Sequence, residues 1–259
     1  MTDDRLQSVR SSSRLRRALR GSLLLLFGFL LLSWVWLYFD SVHQRRKAES
    51  LIVDLKTFQF ASAGFLDVRE LAIRHGGRAS APLVQRMPAC TAQDCTFEIW
   101  IKTGMTRFPL ENKAEEFLYR VLPYLGIRSW MLYSMFVVSG GKLQESRTTI
   151  GEERWGRSGS YEGLIPFGYE VVSVPLSDSF DPRYDYAVGF PHVTGPPSNV
   201  LRARVVRTPD APMLRAFDID LSCLSSVFRD CRGFDELAPS AWADFLARKA
   251  EFDKGEIRK

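Results

Sequence analysis

The chain is 259 residues long and carries 35 Lys and Arg against 30 Asp and Glu, a net charge of +5. Six of the cations, Arg5, Arg10, Arg14, Arg16, Arg17 and Arg20, crowd into residues 1–20 beside only Asp3 and Asp4, and removing those six and two leaves 29 cations against 28 anions. The basic character belongs to one short tail, which excludes an electrostatic case for DNA or RNA binding by the body of the chain.

The first element is the run GSLLLLFGFLLLSWVWLYF, from Gly21 to Phe39, without a charge. At about 1.5 Å per residue its nineteen positions make roughly 28 Å of helix, close to the hydrocarbon thickness of a bilayer. The run ends in Trp34, Trp36, Tyr38 and Phe39. Such rings suit a headgroup boundary and make a poor signal-peptidase site, which follows a shorter apolar region and needs small residues. No cysteine stands at its end for lipid attachment. The expectation is an uncleaved signal anchor whose partner is the lipid bilayer through residues 21–39. Six cations precede the run and three, Arg45, Arg46 and Lys47, closely follow it, which predicts a single-pass protein of the cell membrane with a cytoplasmic N-terminus. The second cluster dilutes that signal, because three cations beside a span also suit an anionic cytoplasmic leaflet. The expected organisation is a basic cytoplasmic tail at 1–20, the anchor at 21–39, a membrane-proximal helix at 40–57 and an extracytoplasmic domain at 58–259, long enough to bury a full core.

Past the span, RRKAESLIVDLKTF places Ala48, Leu51, Ile52 and Leu55 at helical spacing and continues the helix outward. FLDVRELAIRHGG follows as a helix with Val68, Leu71 and Ala72 on one stripe and Gly76 and Gly77 as its stop. His75 stands where a cation meets the C-terminal end of the helix dipole, a structural position. ASAPLVQRMPA reads as a loop. CTFEIWIK alternates Phe97, Ile99 and Ile101 with Thr96, Glu98 and Trp100, the pattern of a half-buried strand. LENKAEEFLYRVLPYLG predicts a helix closed by Pro123 and Gly126.

SWMLYSMFVVSGGKLQESRTTI reads as a hairpin about Gly140 and Gly141, its first arm apolar on both faces as in a central strand. A second span across 117–138 is excluded by Arg120, Arg128 and Pro123. Three more strands are expected in GYEVVSVPL, YDYAVGF and NVLRARVV. In the last, Leu201, Ala203 and Val205 face one side and Arg202 and Arg204 the other, so one sheet face is solvated there. AFDIDLSCL reads as a short strand and FDELAPSAWADFLARKAEF as one amphipathic helix with Pro239 near its start. Strand and long helix do not alternate, so the predicted fold is α+β, with a mainly antiparallel sheet and flanking helices.

Cys90, Cys95, Cys223 and Cys231 all follow the span, in an oxidising compartment under the expected orientation. Three connectivities are open. The local pairs Cys90–Cys95 and Cys223–Cys231 are favoured because each closes a short loop of turn-compatible residues. A four-cysteine zinc site would want a narrower second half than C-x7-C, and no C-x-x-C pair supports thiol exchange. Of the histidines, His192 in the loop PHVTGPPSN could serve as a ligand or base. Asp218 and Asp220, two apart on the expected strand, could offer oxygens to a cation, although solvated carboxylates are the commoner outcome. No G-x-S-x-G elbow, H-E-x-x-H or phosphate loop is present, so no catalytic residue, metal or cofactor is assigned.

TPDAPMLRAFDIDLSCLSSVFRDCRGFDELAPSAW resembles the C-terminal signature of a group of membrane-anchored bacterial proteins of unknown function, and FLDVRELAIRHGG with CTAQDCTFEIW resembles their N-terminal half. Together these stretches cover about a third of the chain. The resemblance implies an anchored extracytoplasmic domain with two paired-Cys loops and carries no activity with it. The expected function is a noncatalytic envelope module that binds a partner protein or a glycan or serves a structural role; the competing one is an envelope hydrolase with an unrecognised site near His192.

Overall fold

A computed structural model of the chain describes residues 3–80, 90–103, 125, 127–128, 130–152, 167–174, 187–190, 198–206, 214–226 and 233–253. The first element, α1, runs unbroken from Asp3 to Thr57. Nothing in its sequence interrupts it, since it holds no proline and its glycines, Gly21 and Gly28, lie within the apolar run. Side chains from Leu19 to Leu32 stand exposed, apart from the half-buried Gly28. Farther along, Ser41, Gln44, Ala48, Leu51, Ile52 and Leu55 are buried. These recur every three or four residues, so one stripe of the rod is core.

Helix α2, Phe65–Arg74, starts where the Gly64 backbone N–H donates to Asp67 Oδ2 at 2.8 Å, satisfying a donor that the first turn would leave open. Val68, Leu71 and Ala72 are buried, as their stripe predicts. At Gly77 a Cβ would stand 2.8 Å from the Glu98 carbonyl oxygen and 2.8 Å from the Ile99 side chain. Only glycine allows that approach, and it delivers β1, Arg78–Ser80, antiparallel onto β2, Cys95–Lys102. Ala79 and Ser80 fall in the stretch expected to be loop; a three-residue strand is too short to show an alternating pattern. Residues 81–89, and all but Leu125 of the helix expected at 110–126, lie outside the described residues.

The hairpin joins β3, Trp130–Ser139, to β4, Lys142–Glu152, through Gly140 at φ +59 and Gly141 at φ +74. A two-residue turn of this hand needs positive φ at both positions, which the glycine pair supplies. Burial alternates along the whole of β3. Strands β5, Phe167–Val174, β6, Ala187–Phe190, and β7, Ser198–Val206, complete a sheet that has, among the described residues, seven strands in the order β1-β2-β3-β4-β5-β7-β6. Neighbouring strands are antiparallel except for β5 and β7. Leu201 and Ala203 are buried on β7, in step with the expected alternation.

The stretch AFDIDLSCL is not a strand. It forms a 3-10 turn at Arg215–Phe217, irregular backbone, and a second 3-10 turn at Ser222–Ser225. Its apolar-polar alternation imitates a strand, but the Asp220 side chain accepts from the Ser222 backbone N–H at 2.8 Å and bends the chain instead. The single C-terminal helix expected is divided into α3, Phe234–Leu237, and α4, Pro239–Asp253. Proline has no N–H to continue a helix and its ring drives the preceding residue out of helical geometry, so Ala238 takes φ −139 and ψ 65.

The core lies between the inner face of the sheet and the outer layer of α1, α2 and the 3-10 turns. Phe97, Ile99, Leu132, Phe136 and Ile150 come from the sheet, Leu51 and Leu55 from α1. Phe60 stacks on Phe217 with ring centroids 6.1 Å apart, joining the chain after α1 to the C-terminal turns. The architecture is α+β: a long apolar helix followed by a mainly antiparallel sheet with helices.

Candidate functional site

The Cys90–Cys95 disulfide is present and closes the turn that leads into β2. Inside it the Thr91 N–H donates to the Asp94 carbonyl at 3.0 Å and the Asp94 N–H to Thr91 Oγ1 at 3.0 Å. Ser139 Oγ donates to Asp94 Oδ1 at 2.7 Å and the Gly141 N–H to the Gln93 carbonyl at 2.9 Å, so the loop is fastened to the end of the β3–β4 hairpin.

Cys223 is buried, and among the described residues no cysteine is free; Cys231 lies outside them. The turn around Cys223 is gripped from two sides. Arg128, 2% exposed, donates through Nη1 to the Cys223 carbonyl at 2.6 Å and to the Ser226 carbonyl at 3.0 Å. From α1, Arg45 Nη1 donates to Ser225 Oγ at 2.7 Å. Sequence reasoning missed Arg128, because its carbonyl partners are 95 and 98 residues away.

Asp218 and Asp220 do not share a strand face. Asp218 accepts from Lys56 Nζ at 2.5 Å and from Ser240 Oγ at 3.1 Å, tying the end of α1 to the start of α4. Burial pushes its carboxyl up, but the bonds from Lys56 and Ser240 and the charges of Lys56 and Arg215 outweigh that and hold it below the ordinary carboxylate value. Asp220 orders the turn at Ser222. His192 lies outside the described residues.

A polar cluster sits where α1 meets α2. His75 Nε2 and Asp54 Oδ2 are 2.8 Å apart, Arg74 Nη1 reaches the same carboxylate at 3.2 Å, and Arg74 Nη2 reaches Glu70 at 2.9 Å. An ionised carboxylate can only accept, so Nε2 carries the proton in that bond. Burial raises the Asp54 carboxyl, and the bonds from His75 and Arg74 then bring it below its ordinary value. The cluster borders a cleft of about 350 Å³ whose lining includes Asp54, Phe58, Asp67, Glu70 and Arg74. The structural position expected of His75 gains a carboxylate partner that the helix-dipole argument missed; the chain places it 21 residues upstream.

On the outward sheet face Trp100, 47% exposed, lies over Tyr133 with centroids 4.2 Å apart, and Lys102 Nζ stands 4.4 Å from the Trp100 ring centroid. Glu98 accepts from Tyr133 Oη at 3.1 Å and from Trp100 Nε1 at 3.4 Å. Burial, with help from the Glu98 charge, pushes the Tyr133 hydroxyl up to about 12, so it remains a donor at neutral pH. A tilted pair of aromatic rings bordered by a carboxylate and an ammonium offers contact chemistry. Among the described residues no group of three or more His, Cys, Asp or Glu is placed to hold a metal ion. Compared with known proteins, the chain matches no family model, no curated sequence and no solved structure.

Proposed function

We propose that this is a single-pass membrane protein with a cytoplasmic N-terminus and an extracytoplasmic sheet domain that works as a noncatalytic binding or structural module of the cell envelope. One observation carries the reading: the unbroken α1 contains an apolar window, long enough to cross a membrane and with none of it buried, and then supplies core residues to the domain. An all-round apolar helix needs lipid or a protein interior, and no residue of the window is buried in protein. The span thereby holds the domain rigidly at the bilayer. Lys56–Asp218, Arg45–Ser225 and His75–Asp54 bind α1 to the rest of the fold, so these polar groups serve cohesion. The Cys90–Cys95 bond suits an oxidising compartment, and the reading includes a second short bridge, Cys223–Cys231.

A reporter active only outside the cytoplasm tests the topology. Fused after Lys259 it is expected to be active, and at the N-terminus silent; the reverse pattern overturns both the orientation and the oxidising address. Replacement of His192 by alanine is expected to leave any cellular phenotype of the gene intact at normal protein level. Its loss would move the reading to a hydrolase.

A further inference from the structure

The face of α1 turned away from the domain carries Trp36 and Phe39, then His43, Arg46 and Lys47, all exposed. At about 100° per residue these five fall within roughly a third of the circumference. The opposite side holds the stripe of Ser41, Gln44, Ala48, Leu51, Ile52 and Leu55 that enters the domain. The outward stripe is therefore graded: aromatic rings first, cations next.

The domain reaches up the helix to the same level. Trp34 donates its indole N–H to the Leu125 carbonyl at 3.1 Å, so protein covers one side of α1 within the last turns of the apolar run while Trp36 and Phe39 remain 60% and 65% exposed on the other. Arg46 and Lys47 follow Phe39 by seven and eight positions, about 10 to 12 Å along the axis. Side chains on a helix lean toward its N-terminus, so these long cations bend back toward the bilayer, and their reach brings the charges into the headgroup layer. Arg45, which turns toward the domain, is ion-paired with Glu49 at 3.2 Å and hydrogen-bonded to Ser225. Arg46 and Lys47 have no ion-pair partner among the described residues.

We infer that the His43, Arg46 and Lys47 face of α1 binds the headgroups of acidic phospholipids in the leaflet nearest the domain, with Trp36 and Phe39 seated at the edge of the hydrocarbon. This rests on the membrane reading of residues 21–39. It gives the cations after the span, which weaken the topology signal, a positive role on the domain side.

The test uses the full chain in detergent micelles, titrated with phosphatidylglycerol or phosphatidylcholine, with bound lipids counted by native mass spectrometry. R46S/K47S is expected to weaken phosphatidylglycerol binding about thirtyfold at low salt, from the attraction of two surface cations, and to leave phosphatidylcholine binding unchanged. R69S, which removes an exposed cation from α2, is expected to change neither. Equal phosphatidylglycerol binding by wild type and R46S/K47S, or the same loss in R69S, overturns the inference. Should R46S/K47S fail to fold, the wild-type salt series decides: binding must fall as salt rises, and salt-independent binding overturns the inference. Alkaline carbonate extraction separates the two readings. Release of the full chain from membranes defeats the membrane reading itself, whereas retention with no effect of R46S/K47S defeats only the lipid site.

Discussion

Residues 19–32 and 41–55 belong to one helix with one backbone geometry, yet the first stretch is bare and the second is built into a core. The difference lies in how the apolar residues are distributed around the axis. In the first stretch they occupy the whole circumference, so no single protein surface could cover them. In the second all but Val53, which is 59% exposed, lie toward the domain, with Arg46, Lys47 and Ser50 on the opposite side, and the sheet domain buries the stripe of Ala48, Leu51, Ile52 and Leu55. Burial here follows periodicity rather than hydrophobicity, since Leu24 and Leu25 are 72% and 77% exposed while Leu51 and Leu55 are fully covered. The two environments join without a hinge, as neither glycine nor proline occurs between Phe29 and Thr57.

The largest expected effect follows from that contrast. Leu51→Ala removes a fully buried side chain and is expected to cost about 3 kcal/mol, a fall of roughly 6 to 12 °C in the melting temperature of the domain. Leu25→Ala makes the same chemical change in the bare stretch and is expected to leave the domain melt where it was. Circular dichroism melts in detergent check both, and equal shifts would break the distinction between the two stretches. Next comes the Cys90–Cys95 bond, which fastens the β3–β4 hairpin end rather than α1. A bridge closing so short a loop is worth about 2 kcal/mol by chain entropy, so C90S/C95S is expected to melt about 4 to 8 °C lower and still fold cooperatively. Loss of folding altogether would show that the loop, and not the α1 stripe, holds the domain together.

The smallest effect is electrostatic and lies at the seam between α1 and α2. Asp54 is held below its ordinary value of 3.8 in the folded chain. Its contribution is therefore complete above the unfolded value and is lost as the pH falls through the lower folded value. Asp54→Asn is expected to melt slightly below wild type at pH 7 and to converge with it in strong acid, and melts from pH 7 to pH 2 check the sign. A difference that grows toward acid would contradict the assignment. The magnitude is small because the carboxylate is 27% exposed and solvent screens it.

What could be read from the residues was mostly local. The stripe Ala48, Leu51, Ile52, Leu55, the α2 stripe, the alternation of Phe97, Ile99 and Ile101, and the glycine pair of the hairpin each encode their own conformation within a few positions. What could not be read depends on distant partners. The parallel pairing of β5 with β7, which places β6 at the sheet edge, is a matter of register between segments that carry similar strand patterns. Arg128 looks like an isolated charge before a strand, and only the folded chain brings it the carbonyls of Cys223 and Ser226. Asp218 and Asp220 misled because a polar residue at every second position fits a strand as well as a turn, and the hydrogen bond that decides between them is to a side chain. The candidate site was the least legible part, since the His75–Asp54 contact joins two helix ends 21 residues apart in the chain.

Hydrogen–deuterium exchange on the full chain in nanodiscs tests whether α1, proposed as the membrane span, is also domain core. Peptides covering Ala48 to Leu55 lie beyond the span, so lipid does not protect them, and they are expected to exchange as slowly as peptides from the central strand β3. Exchange of that segment at the rate of a frayed surface helix, with β3 still protected, would contradict the claim that the helix stripe is part of the core.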